Sequence, residues 1–139
     1  MNIYRIEEQL IRHEGEKLFP YKCTANKTTL GIGRNIQDKG ISKEESRFMF
    51  QNDIRECVDD LGTIFPGQFE DFPEGVQHVL IDMRFQLGHT GFRNFKKMIV
   101  AFRRLDLVEA VLQMKSSRWY LQVPNRAGNL IKMVEEFIE

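Results

Sequence analysis

The chain has 139 residues, 20 Lys and Arg against 20 Asp and Glu, 42% hydrophobic residues and eleven Phe. That length and composition suit one ordinary globular domain, residues 1–139, able to bury a core without metal or disulfide support. A net charge of zero gives no bulk attraction to nucleic acid. An anionic polymer would have to be held by local clusters, of which Arg93, Lys96, Lys97, Arg103 and Arg104 form the densest; a solvated helix face is the plainer reading of that cluster.

The two cysteines sit in unlike contexts, Cys23 in a polar hairpin and Cys57 on an apolar helix face, which argues against a disulfide between them and for Cys57 as a core thiol. His13, His78 and His89 are scattered, so no metal-ligand spacing is present. Arg5, Glu7, Glu8 and Arg12 interrupt the amino terminus and no apolar run reaches signal or membrane-spanning length. The expectation is a protein made in the cytoplasm that needs another route out if it acts elsewhere.

Ile3, Ile6, Leu10 and Ile11 recur at helical spacing behind Asn2, a good N-cap, and predict a first helix ending near Glu14-Gly15. From Leu18 to Ile36, short β-prone pieces broken by Pro20, Ala25-Asn26-Lys27, Gly31 and Gly33 predict a small antiparallel hairpin or sheet. Ser42-Lys43-Glu44-Glu45 has the form of a capping box and starts a long helix with Phe50, Ile54, Cys57, Val58 and Leu61 on one apolar face, up to Gly62 and Pro66. After a turn-rich stretch from Phe65 to Pro73, Val76, Val79, Leu80, Met83 and Leu87 mark a helix ending at Gly88, and Gly88-His89-Thr90-Gly91 reads as a turn. Helices follow at Asn94 to Arg104 and Leu107 to Lys115, and a last one runs from Pro124 or Asn125 to Ile138. The fold class expected is α+β: a small β element in the first third, and helices elsewhere.

Glu14, Cys23 and Thr29 bracket the helix end and the hairpin with one acid, one thiol and one hydroxyl. Splitting a glycosidic bond needs a carboxylic acid to protonate the leaving oxygen and a second polar group to position or activate water, and this segment can supply both. A Cys–His hydrolase built on Cys23 lacks an orienting partner and an oxyanion hole. Gly31-Ile32-Gly33 is no phosphate loop, because no helix follows it directly.

Two separated blocks carry a family resemblance. The first is Glu14-Gly15, Tyr21-Lys22-Cys23-Thr24 and Thr29-Leu30-Gly31-Ile32-Gly33; the second is Ser117-Arg118-Trp119-Tyr120, Gln122 and Pro124-Asn125-Arg126-Ala127. Phe85-Gln86-Leu87-Gly88 and Thr90-Gly91 lie between them in the expected order. In these the chain resembles the phage-type lysozymes, over nearly its whole length. The resemblance implies a small amino-terminal β-hairpin lobe and a helical carboxy-terminal lobe joined by a long helix, with the substrate cleft between. The stretch Asp38 to Ser42 is shorter than the family's, which implies a more open rim there.

Carried over residue by residue, the resemblance makes Glu14 the general acid, puts Cys23 at the family's Asp or Cys position and gives Thr29 a share in holding the attacking water. It pairs Arg126 with Glu14 as site support, places Phe85 and Gln86 against substrate and assigns Trp119 to the helical core. Arg34 departs from the family's His, which leaves any ion pair there open. For Cys23 three roles stand side by side: orienting water, acting as base, or attacking the sugar; a nearby Glu14 charge is expected to raise its thiol pKa.

The activity implied is a muramidase cutting the β-1,4 bond between N-acetylmuramic acid and N-acetylglucosamine in peptidoglycan, without metal or cofactor. The setting implied is that of a monomeric phage endolysin in the host cytoplasm, released by a holin to lyse the cell and with no nucleic-acid partner. A lytic transglycosylase using Glu14 alone, or a noncatalytic peptidoglycan-binding module on the same fold, are the rival readings.

Overall fold

The computed structural model describes all residues from Met1 to Glu139. The architecture is α+β, eight α-helices and one three-stranded antiparallel sheet. The chain divides into two compact units, residues 1–49 and 50–139, with the boundary inside the long helix α3 (Lys43–Ile64).

In the first unit, α1 (Ile3–Glu14) begins where the Asn2 side chain accepts from the backbone N–H groups of Tyr4 at 3.1 Å and Arg5 at 3.3 Å. It stops at Gly15, whose φ of 69° favours glycine and whose N–H closes on the Ile11 carbonyl at 2.7 Å. Strand β1 (Lys17–Lys22) pairs with β2 (Thr28–Gly31), Tyr21 opposite Thr29 and Lys22 opposite Thr28. Their register slips between Lys17 and Tyr21, where Pro20 has no N–H to give to the ladder. β2 pairs in turn with β3 (Arg34–Asn35).

A short helix α2 (Ile36–Lys39), absent from the sequence reading, follows because the Asn35 side chain accepts from the Asp38 N–H at 3.1 Å. The capping box at α3 forms as expected: the Ser42 N–H donates to Glu45 Oε1 at 2.8 Å and the Glu45 N–H to Ser42 Oγ at 3.1 Å. Beside this short connection lies a hollow of about 680 Å³ whose walls include Leu30, Ile36, Ile41 and Phe48.

The second unit holds the core. Leu61, Phe65, Leu80, Met83, Phe92, Phe102 and Met114 are fully buried, and Phe65 stands edge-on to Phe72 with ring centroids 5.3 Å apart. Within α3 the buried seam is Cys57, Leu61 and Ile64. Val58, expected on the same face, is 36% exposed because the row through Cys57, Leu61 and Ile64 leaves it to one side; Phe50 lies on that row, seven residues before Cys57, but is 43% exposed, since the buried part of α3 begins only at Cys57.

Helix α4 (Glu74–Arg93) buries Val76, Val79, Leu80 and Met83 as expected. It kinks at Gly88, φ 77° and ψ −179°, and resumes helical backbone to Arg93, where the sequence predicted a turn. α5 (Lys96–Arg103) and α6 (Leu107–Lys115) pack on each other. The sequence reading missed α7 (Arg118–Gln122), which Ser117 caps by accepting from the Tyr120 N–H at 3.1 Å. α8 (Pro124–Glu135) begins on Pro124 as predicted and ends three residues short of Ile138.

Candidate functional site

Glu14 is the last residue of α1, and the chain returns to its carboxylate at the turn joining β2 to β3. There Gly33 adopts a φ of 65°, and a Cβ on it would lie 2.5 Å from Glu14 Oε2. Only the missing side chain at Gly33 lets the carboxylate lie against that turn.

Cys23 opens the β1–β2 turn: its N–H donates to the Lys27 carbonyl at 3.0 Å and its carbonyl accepts from the Asn26 N–H at 2.8 Å. The turn brings the half-buried thiol to the hydroxyl of Thr29, itself 3% exposed on β2. The backbone N–H of Lys27, then the Thr29 hydroxyl and the Ala25 backbone, favour the thiolate and lower the thiol pKa. This reverses the sequence expectation of a raised pKa: hydrogen bonds supplied by the turn, which the sequence reading did not weigh, set the direction. Thr29 Oγ1 also donates to the Lys27 carbonyl at 2.9 Å. One hydroxyl carries one proton, so Thr29 can serve a thiolate as donor only by turning that proton from Lys27 toward sulfur. Cys23 and Thr29 are thus brought together, and Glu14 is set on the same small sheet.

Arg34, in the residue after Gly33, has its ion pair. Its guanidinium grips Glu45 through Nη1–Oε1 and Nη2–Oε2, both at 2.6 Å. The Ser42 N–H first, and Arg34 next, pull the Glu45 carboxyl down to about 2. This pair ties the β2–β3 turn to the start of α3, a link the sequence reading left open.

In the second unit, Phe85 is 43% exposed on α4 and meets Phe50 edge-on at 5.8 Å. The two line a groove of about 450 Å³ with Ile54, Ile81, Asp82 and Arg126. Gln86 points its carbonyl oxygen at the indole of Trp119, which donates Nε1–H at 3.0 Å. Trp119, 4% exposed and edge-on to Phe95, belongs to the core as expected. Arg126, which the sequence reading gave to Glu14, is held here by Asp82, with Nε and Nη2 both 2.8 Å from Oδ1. Asp82 was overlooked because a lone carboxylate on a helix carries no local signal.

Three curated proteins align with the chain over almost all of its length. It is 25% identical over 158 residues to "Probable T4-type lysozyme 2" of Dictyostelium discoideum, covering 94% of this chain and 93% of that protein. It is 26% identical over 162 residues to "Probable T4-type lysozyme 1" of the same organism, with the same coverage. The third is the pre-baseplate central spike protein Gp5 of Enterobacteria phage T4, 25% identical over 154 residues, where the match spans 91% of this chain and 27% of the spike protein. No protein-family model matches the chain.

Proposed function

Because this chain belongs to the phage-type lysozyme-like family, we propose that it is a glycoside hydrolase of bacterial peptidoglycan, a muramidase acting on the β-1,4 bond between N-acetylmuramic acid and N-acetylglucosamine. The observation that carries the reading is the small sheet that pairs Cys23 with Thr29 and seats Glu14 on its Gly33 turn.

In this mechanism Glu14 gives its proton to the glycosidic oxygen as the bond from that oxygen to the anomeric carbon breaks. A water held by the Cys23 sulfur and the Thr29 hydroxyl adds to the anomeric carbon from the opposite face and loses its proton to the thiolate, so the product is inverted. The lowered thiol pKa supports Cys23 as acceptor. Phe85 and Gln86 are the proposed sugar contacts, and Arg126 remains a proposed support of Glu14. The chemistry proposed uses no metal or cofactor.

The setting proposed is that of a monomeric endolysin, made in the host cytoplasm and passed to the wall by a holin. Expression in a bacterium should lyse the cells only when a holin is co-expressed, and lysis without one would remove that partner.

Product analysis on purified peptidoglycan tests the central reading. Hydrolysis leaves reducing muramic acid ends, a lytic transglycosylase leaves anhydromuramic ends, and a binding module leaves the polymer uncut. Glu14→Gln should lower wall-clearing by at least about a hundredfold in a folded protein, and comparable activity in that variant would sink the assignment.

A further inference from the structure

The corner between α5 and α6 carries features that neither the core nor the proposed catalytic residues use. Leu105 stands there with φ 57°, one of two non-glycine residues with positive φ, and with its side chain 64% exposed. It closes α5 as the residue past the helix end: its N–H reaches the Phe102 carbonyl at 3.0 Å, and the Asp106 N–H reaches Ala101 at 2.8 Å. That motif is ordinarily filled by glycine, because an L side chain strains it. A leucine held in the strained conformation, facing water, is an outlier that the packing of this unit does not explain.

Cations line the hollow that Arg104, its neighbour in the chain, helps to form. Lys96, Lys97 and Arg104 are exposed and make no ion pair in the structure, while Arg103 spends its guanidinium hydrogen bonds on the Ile64 carbonyl at 2.7 and 3.1 Å and keeps its charge. Lys97 and Val100 of α5 and Arg104 just past its end line a common hollow with Asp106, the N-cap of α6, and Glu109. The two acids keep their charge as well, Asp106 accepting from the Glu109 N–H at 3.1 Å and Glu109 from Gln113 Nε2 at 2.7 Å, so Lys96, Lys97, Arg103 and Arg104 outnumber them without being free of them. Val108 and Leu112, a turn apart on α6, add apolar surface at 62% and 54% exposure, and Val100 is 41% exposed. In a chain of zero net charge the corner carries a local excess of cations, with Val100 in the same hollow and Leu105 directly after Arg104.

We propose that the α5–α6 corner is a peripheral docking surface for an anionic phospholipid bilayer, with Lys96, Lys97 and Arg104 at headgroup phosphates and Leu105 entering the interface. Charge complementarity selects an anionic surface. The aliphatic residues select lipid over a soluble polyanion, since a polyol phosphate offers Val100 and Leu105 nothing to bury against.

The test uses the full chain in co-sedimentation with vesicles of phosphatidylcholine alone and of phosphatidylcholine mixed with phosphatidylglycerol. The expected result is binding to the mixed vesicles only, weakened by salt. Lys97→Gln and Arg104→Gln should each weaken it about fivefold. Leu105→Gly, which relieves the backbone and so keeps the fold, should weaken it about tenfold, with circular dichroism and melting temperature showing the variant folded. Equal sedimentation with both vesicle types, or none, overturns the proposal. Loss in the Gln variants with undiminished binding by Leu105→Gly also overturns it, and leaves a purely electrostatic contact with the headgroups. The readout is binding, so it stands or falls separately from muramidase activity.

Discussion

A methyl group on Gly33 would stand 2.5 Å from Oε2 of Glu14 and 2.7 Å from its carboxyl carbon, far inside van der Waals contact. Gly33→Ala therefore has to push the carboxylate off the turn, besides placing an L residue at φ 65° for about 1 kcal/mol. Misplacing a reacting group by an ångström can cost about a hundredfold, so wall-clearing should fall far more than the melting temperature does. A variant with full activity would detach Glu14 from that turn. Thr29 makes the companion prediction. Its hydroxyl is one cause of the lowered Cys23 pKa, so Thr29→Val should move the midpoint of iodoacetamide alkylation to higher pH. An unmoved midpoint would leave the backbone N–H groups of the turn as the whole cause.

Among the elements, α3 depends on a two-way cap that the sequence displays in four residues. Ser42→Ala removes the acceptor for the Glu45 N–H and should cost about 1 kcal/mol in urea unfolding. The loss should grow if Glu45 also slackens its grip on Arg34, which Ser42→Gly, sparing most of the cap, would separate. The cap and the Arg34 pair converge on one carboxylate, so a change at Ser42 reaches the turn that seats Glu14. Helix starts at Asn2 and Ser42 were legible because a cap is a local bond between residues two or three apart, and that at Pro124 because the fixed φ of proline suits the first helical position. The kink at Gly88 was legible as a break but not as a continuation, since backbone beyond a glycine takes its direction from what it packs on, here the burial of Phe92.

Across the second unit, one carboxylate ties α3 to the middle and to the C-terminal end of α4. Asp60 accepts from Arg84 Nε at 2.6 Å and from Arg93 Nη1 and Nη2 at 2.8 and 2.6 Å. Arg93, ahead of burial and Arg84, sets its pKa, and the net effect holds the carboxyl well below the usual range. Asp60→Asn would leave Arg84, 6% exposed, without its partner, and should destabilise the protein by about 3 kcal/mol, read as a lowered urea midpoint. Asp60 and Glu45 both have folded pKa values below their unfolded ones. Their stabilisation is therefore complete above the ordinary carboxylate range and is lost as pH falls through the folded values, which for Glu45 is about 2. The melting temperature should hold from neutral pH to about 5 and fall below that, and Asp60→Asn should flatten the fall.

The sequence by itself determined the order of the hairpin and of every helix but the short α2 and α7, the caps at Asn2 and Ser42, the apolar stripe of α4 and the acid, thiol and hydroxyl of the first unit. Each of these is written in residue types a few positions apart, where backbone geometry alone brings them into register. The tertiary structure decided the partners: Asp82 for Arg126, 44 residues away, Asp60 for Arg84 and Arg93, 24 and 33 residues away, and Glu45 for Arg34. It also decided the direction of the Cys23 pKa and the exposure of Val58 and Leu105. A charged side chain can pair with any opposite charge within reach, and which one is in reach depends on how the elements pack, information that no stretch of the chain carries alone.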